Sequence, residues 1–368
     1  MIEPKRILIA SQCTSKEPYA KEIEYLFKSL NLHGGKLSNA QKIACFTEPA
    51  EPALVDRLTK LGVKVKTIEN LDSRYPYANK IQMLRLDQEE DFDLLVTLDT
   101  DIVIANDFSI FVDEDSIKGK PVDSEPLGLE NWKNIFKYFG MPVPSERYLT
   151  CFTMIETIPW FNSGVLLIPR KFTSRLYENW KSFISKLMDV YYKLPEISEN
   201  CSTWGHKYAF TDQFALVLAI QDAKLPYHAL PLEMNFPTHY NIHKNFKPDT
   251  INPFLILYHH RISKSGNIMH CSYENINRFI DKINLSLTNN LKKIEDSEII
   301  VDDLYHEILS RSADEVGLQH YASLLESKKM SAEDIRRILL NSDEYKSLIT
   351  SKSPFGHNDI GEEKLSRF

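Results

Sequence analysis

The stretch FDLLVTLDTDIVIANDF, residues 92–108, drives an unbroken apolar run into two aspartates one residue apart. A run of that length bounded by polar residues reads as a buried strand. Asp99 and Asp101 therefore fall at a strand end, as a solvated acidic turn or as half of a cation site. Upstream, RILIAS (6–11) is another short apolar run, followed by PYAKEIEYLFKSLNL (18–32), where Ile23, Leu26, Phe27 and Leu30 recur at i, i+3, i+4 and i+7. That spacing makes one helix face. KIACFT (42–47) reads as a strand, PALVDRLTKLG (52–62) as a helix stopped by Gly62, VKVKTI (63–68) as a strand and YANKIQMLRLDQEE (77–90) as a helix. The order βαβαβαβ predicts an α/β layer fold with a mostly parallel central sheet. Ligands of open α/β sheets bind at the carboxyl ends of the strands, where Asp99 and Asp101 lie.

Downstream, a proline-studded excursion from about 120 to 159 has the length of a binding loop. NSGVLLIPR (162–170) restores a strand, and TDQFALVLAIQ (211–221) is a helix with Asp212 in its first turn. PFLILYHHR (253–261) reads as a last strand ending in His259 and His260, and SYENINRFIDKINLSL (272–287) as a closing helix. A charged linker at about 288–297 precedes a segment with two Ser-x-x-acid helix starts, Ser312 with Glu315 and Ser331 with Asp334, each the pattern of a capping box. Three small helices are expected there, with Leu304, Ile308, Leu318, Tyr321, Leu325, Ile335, Ile338 and Leu339 in one core. Domains are expected at 1–287 and 298–350, with a loose tail at 351–368.

A chain of 368 residues exceeds one ordinary hydrophobic core, and its net charge of −7 argues against a nucleic-acid binder. Five widely spaced cysteines without a Cys-x-x-Cys pair suit a reducing cytoplasm. No stretch has the length and apolarity of a membrane span. A soluble cytoplasmic protein is expected, with peripheral membrane attachment through a partner left open.

Two further Asp-x-Asp copies, DFD from Asp91 and DED from Asp113, show that the pattern alone is weak. Only the copy at Asp99 ends an apolar strand. There it offers hard oxygen ligands for Mg²⁺ or Mn²⁺, ions that combine one or two carboxylates with phosphate oxygens. His259 or His260 can complete such a shell, and on a strand only one of them faces the site. G-x-G-x-x-G is absent, GGKL at Gly34 lacks the features of a phosphate loop, and the chain has only 12 glycines. A metal-held diphosphate is favoured over a dinucleotide cofactor or an ATPase.

ANKIQMLRL, FDLLVTLDTDIVI, WFNSGVLLIPR, TDQFALVLAI, LPLEMNFP and LILYHH, in this order over about residues 5–285, resemble the metal-dependent GT-A fold glycosyltransferases. The resemblance implies a Rossmann-like GT-A sheet, a nucleotide-sugar donor with UDP as default, and a glycan or other hydroxyl acceptor. It implies donor binding by Asn79, Lys80, Asp99 and Asp101, and metal ligation by Asp99, Asp101 and His259 or His260. Asn162, Ser163, Gly164 and Gln213 would lie beside the sugar or acceptor, and Asp212 would be the general base. The family pattern is His-aromatic-His, whereas this chain reads Tyr258-His259-His260. Residues 298–350 resemble a bacterial all-α domain of unknown function, expected to dock a partner or position the catalytic domain. The alternatives are a noncatalytic glycan- or partner-binding protein on the same fold, and a sugar nucleotidyltransferase, whose glycine-rich basic N-terminal loop ASQCTSKEPYA does not supply.

Overall fold

The computed structural model describes residues 6–125, 127–202, 208–240, 250–287, 297–327 and 329–351. The chain opens with β1 (Ile7–Cys13), α1 (Tyr19–His33), β2 (Gln41–Phe46), α2 (Pro52–Lys60) and β3 (Lys64–Thr67), then β4 (Leu94–Leu98) and β5 (Ile102–Ile104). Next come β6 (Ile117–Pro121), α3 (Gly128–Tyr138), a hairpin of β7 (Tyr148–Leu149) and β8 (Glu156–Thr157), and β9 (Phe161–Pro169). Helices α4 (Arg170–Val190), α5 (Pro195–Ser202) and α6 (Thr211–Asp222) follow, with β10 (Tyr227–Ala229), β11 (Phe236–Pro237), β12 (Leu255–Leu257) and α7 (Glu274–Leu287).

The main sheet runs β10-β6-β9-β4-β1-β2-β3. Every pairing is parallel except those of β9, which lies antiparallel to both β4 and β6. The expected mostly parallel α/β sheet is what forms, with one reversed strand in its middle. A second small sheet, β11-β12-β5, stands beside it. Alternation along β9 sends Leu166 and Ile168 into the apolar layer shared with α4 and α6, and Val165 and Leu167 into the layer under α1 and α2, while Phe161, beyond a register shift in the pairing with β6, joins the first layer. Both layers contain residues with no solvent exposure, among them Leu95, Trp132 and Leu216 on one side and Ile23, Phe27 and Val96 on the other.

Local structure departs from the sequence expectation in four places. The helix expected over 77–90 is a 3-10 helix, Pro76–Gln88, buried on nearly all sides from Ala78 to Leu84. It has no apolar stripe to favour an α-helical face. The 120–159 excursion is only partly loop, because α3 drives Trp132, Ile135 and Phe136 into the core. The strand expected to carry the two histidines is only Leu255–Leu257, and His259 and His260 follow it in a turn, both with left-handed φ, 50° and 58°.

The fourth departure is C-terminal, where the described residues form four helices rather than three: α8 (Ser297–Leu309), α9 (Glu315–Glu326), α10 (Ala332–Leu340) and α11 (Asp343–Ser351). Ser331 and Asp334 form the expected capping box, but α9 is capped by Asp314, which accepts from the Gly317 amide, and not by Ser312. Leu304, Ile308, Ile335 and Leu339 are buried in a core of their own with Leu318, Tyr321 and Leu325 against it, whereas Ile338 is exposed. Nearly all of the expected linker and tail lies outside the described residues. No helix among the described residues is long and apolar enough to cross a membrane.

Helix α1 packs on α7, where His33 Nε2 lies 3.0 Å from Ser286 Oγ. Burial, helped by Lys282, pushes the His33 imidazole below its ordinary 6.5. The folded pKa lies below the unfolded one, so the unfolded chain takes up the proton first as the pH falls. Stability present above about pH 6.5 is therefore lost below it. His33→Gln is expected to flatten that part of the acid limb, read as urea midpoints between about pH 5 and 7.

Candidate active site

Asp99 and Asp101 leave β4 at the carboxyl edge of the parallel strands, where the following β5 turns away into the small sheet. The backbone fixes both: the Asp99 amide donates to the Gly164 carbonyl at 2.8 Å, and the Tyr258 amide donates to the Asp101 carbonyl at 3.0 Å. Thus β4, β9 and the end of β12 meet at one point. The Asp99 carboxylate is partly open and accepts from Lys80 Nζ at 2.9 Å. Asp101 is buried, and its carboxyl is raised above its usual range by that burial, against the pull of His260 and His259 and with Glu22 and Asp99 adding to the rise.

Lys80 projects from the 3-10 helix into a closed network. Its ammonium touches Asp99, Ser163 Oγ at 3.2 Å and Asp212 Oδ2 at 3.5 Å. Burial works against its charge, but Asp99 and Asp212 outweigh burial and hold it well above the ordinary lysine value. Asp212 sits in the first turn of α6 but caps nothing there. It accepts from Tyr75 Oη through Oδ1 and from Ser163 Oγ through Oδ2, while its backbone carbonyl accepts from Trp180 Nε1 at 2.8 Å.

The FNSG segment is the start of β9. Asn162 Oδ1 accepts from the Gly164 amide at 2.8 Å and from Asn235 Nδ2 at 3.2 Å. A Cβ on Gly164 would stand 2.8 Å from Asp99 Oδ2 and 2.9 Å from Asn162 Oδ1, so glycine leaves the space that the Asp99 carboxylate fills. Gly164→Ala is expected to destabilise the fold by about 1–3 kcal/mol through overpacking. In a double-mutant cycle of urea unfolding, Asp99→Ala should recover part of that loss.

Asn79 is buried and accepts from the Leu71 amide at 2.7 Å, tying the loop before the 3-10 helix; Gln213 is buried beside Asp212. The two histidines divide. His260 Nδ1 lies 2.7 Å from Glu22 Oε1, and its Nε2 faces Asp101 Oδ2 at 3.8 Å. His259 packs its ring on His239, centroids 3.8 Å apart, and its Nε2 is sealed without a hydrogen-bond partner. Burial pushes His259 down to about 4, so it is neutral at pH 7.

A hard cation bridges donors roughly 3–4 Å apart at about 2.1 Å from each, and Asp101 with His260 provides such a span. Glu22 behind His260 matches the carboxylate that orients a ligating imidazole from behind. Among the described residues no three His, Cys, Asp or Glu side chains converge to hold a metal by themselves. An ion there would take its remaining ligands from water or from a bound phosphate. A cleft of about 490 Å³ opens at the ends of β1 and β2, lined by Ser15, Lys16, Glu17, Ala20, Glu51, Leu54 and Arg57. None of the Lys80 network lines it.

Glu22, Tyr75 and His239 contact the candidate site residues His260, Asp212 and His259, and the sequence reading does not single them out. Glu22 had a readable signal, since it falls four residues before Leu26 and eight before Leu30, on the apolar face of α1. Tyr75 and His239 lie in irregular chain, where no periodicity marks a buried face.

A mostly parallel sheet with carboxylates gathered at the end of β4, here where the one reversed strand meets it, is the arrangement that the resemblance to GT-A glycosyltransferases leads one to expect. The chain belongs to the Rhodobacterales glycosyltransferase domain family, whose profile matches residues 19–224. Residues 286–349 match a domain of unknown function (DUF4214). Among solved structures it is similar to the bifunctional WbbM glycosyltransferase in apo form, with 13% identity over 78% of this chain and 51% of that one, at a TM-score of 0.47. It is also similar to the glycosyltransferase GlyE of Streptococcus pneumoniae TIGR4, with 15% identity over 78% and 63% of the two chains and a TM-score of 0.44. The galactosyltransferase LgtC, in complex with donor and acceptor sugar analogues, matches at 15% identity over 78% and 98%, TM-score 0.46. The chain spans about half the length of WbbM and under two thirds of that of GlyE. No curated protein matches it.

Proposed function

We propose that this glycosyltransferase moves a sugar from a nucleoside-diphosphate sugar, with UDP as the first base to test, to a glycan or other hydroxyl acceptor. The donor would be held with Mn²⁺ or Mg²⁺ at Asp101 and His260, with Asp99 and its Lys80 partner beside them and water or phosphate oxygens completing the ion's shell. The observation that carries this reading is the alignment Glu22–His260–Asp101, in which a buried acid takes Nδ1 and leaves Nε2 turned toward a second buried acid. When bound there, the ion supplies charge neutralisation for the departing diphosphate.

The chain's own residues do the rest. Lys80, held charged by Asp99 and Asp212, presents a cation beside the same carboxylates, where diphosphate charge develops as the sugar bond breaks. Ser163 and Asn162, at the start of β9 next to Asp99, would orient sugar hydroxyls. Asp212 has both oxygens occupied by Tyr75 and Ser163. A role as general base requires it to exchange the Ser163 hydroxyl for the acceptor hydroxyl; as the structure stands, it positions Lys80 and Ser163.

Thermal unfolding with a panel of nucleoside diphosphates and nucleotide-sugars, with Mn²⁺ or chelator, tests the donor site. Ligand at a hundred-fold excess over its Kd should add about 2.7 kcal/mol, for one nucleotide family and only with metal. No shift with any nucleotide would remove the donor reading.

A further inference from the structure

We infer that the C-terminal helical bundle is a positioning element of the catalytic domain: acids on α8 clamp the hairpin 261–270, which leaves the chain directly after His260, and so hold His260 toward Asp101. The functional importance of that position rests on the donor site proposed above.

The hairpin is short. Ile262 bridges Ile268, Ser263 and Asn267 pair across it, and Gly266 makes the turn with φ 89°. On one side α1 holds it, because Tyr25 Oη donates to the Gly266 carbonyl at 2.6 Å. Tyr25 stands three residues after Glu22, so one face of α1 grips both the imidazole and the hairpin tip. On the other side stands α8. Lys264 Nζ pairs with Asp302 Oδ2 at 2.6 Å, the Lys264 amide and Ser265 Oγ donate to Asp303 at 3.3 and 3.1 Å, and His270 Nδ1 lies 3.9 Å from Glu307 Oε1.

Arg261 is the keystone of the arrangement. Its guanidinium is buried and donates to three carbonyls from three places: Thr238 after β11, His270 at the hairpin's far end, and Glu307 on α8, at 3.3, 2.9 and 3.4 Å. Burial disfavours its charge, and the Glu307 carboxylate is the main charge opposing that effect. A buried cation whose countercharge comes from another domain is strongly destabilised when that partner goes. Glu307 is itself held by Arg336 of α10, which links the interior of the bundle to Arg261.

The chemistry of the contact supports positioning over mere attachment. These contacts from α8 to the hairpin are hydrogen bonds and ion pairs, which are directional. Such contacts fix orientation more than they add stability.

Full-length wild type, Glu307→Gln and Asp303→Ala should be compared by hydrogen–deuterium exchange over 259–270, with 170–190 as internal reference. NMR of the His260 imidazole, which reports the Nδ1 contact with Glu22, and calorimetric titration of UDP with Mn²⁺ complete the test. Exchange over 259–270 should speed up ten-fold or more in both variants with the reference unchanged, the His260 signal should lose its Glu22 signature, and the UDP Kd should rise about ten-fold. Glu307→Asp should restore most of each. Unchanged exchange and an unchanged His260 signal in variants with native folding would overturn the clamp, as would a loosened hairpin with the His260 signal intact. If wild type binds no UDP with Mn²⁺, the donor reading fails by itself, while the exchange and imidazole readouts still decide the clamp.

Discussion

Asp101→Asn is expected to lower turnover roughly a thousand-fold, equivalent to about 4 kcal/mol of transition-state stabilisation, while the ligand-free protein melts no lower than wild type. The activity loss follows from removing the carboxylate that faces His260 Nε2. The unchanged or raised melting temperature follows from electrostatics. Burial, together with Glu22 and Asp99, raises the Asp101 carboxyl above its ordinary value of 3.8. A folded pKa above the unfolded one means that the native state holds its proton longer, so Asp101 costs stability as the pH climbs past its folded pKa. An isosteric amide removes that cost. Steady-state rates with the matching nucleotide-sugar, and calorimetric melting at pH 5 and about 8, read both effects. A variant that loses stability along with activity would mean that Asp101 is a structural ion-pair partner.

Asp212→Ala is expected to cost about 3–5 kcal/mol of folding free energy, the range seen when one member of a buried charged network is deleted. Three groups lose a partner at once: Tyr75 Oη, Ser163 Oγ and the Lys80 ammonium. Asp212→Asn keeps the shape and an acceptor, and it separates two roles. A positioning Asp212 predicts a raised KM and a lowered melting temperature, with the pH dependence of kcat retained. A general base predicts a collapse of kcat at an unchanged melting temperature, with the acidic limb of the kcat profile gone. Urea unfolding and pH–rate profiles on the same preparations discriminate the two.

Much of this arrangement is legible in the sequence. Asp99 and Asp101 stood out because acid ends an otherwise apolar strand, and the alternating elements upstream predicted the parallel half of the sheet. The family resemblance points to Asp212, Lys80 and Ser163 one by one, but not to their mutual contact. Residues 80, 163 and 212 are far apart in the chain, and nothing in local periodicity encodes a distance between them.

The reversal of β9 was equally hidden. Strand direction is set by how the long connection from β6 returns, and a buried run reads the same either way. The histidine pair shows the limit of a period-two argument, which holds only while the chain stays extended. Two consecutive left-handed residues, each disfavoured for a side chain with a Cβ, are what send His260 toward Asp101 and His259 toward His239.

The reversed strand also sets a timetable. As the polypeptide leaves the ribosome, β4 emerges with β1 already beside it, but its other edge stays bare until β9 is synthesised. About 70 residues separate the two, roughly 4–14 s of translation at typical speeds. In that window the nascent chain displays an unpaired apolar edge, the kind of surface that attracts chaperones or invites misassembly. The Asp99 amide has no Gly164 carbonyl to meet during that time, so Asp99 and Asp101 would become ordered late, after the chain has committed to its central strand.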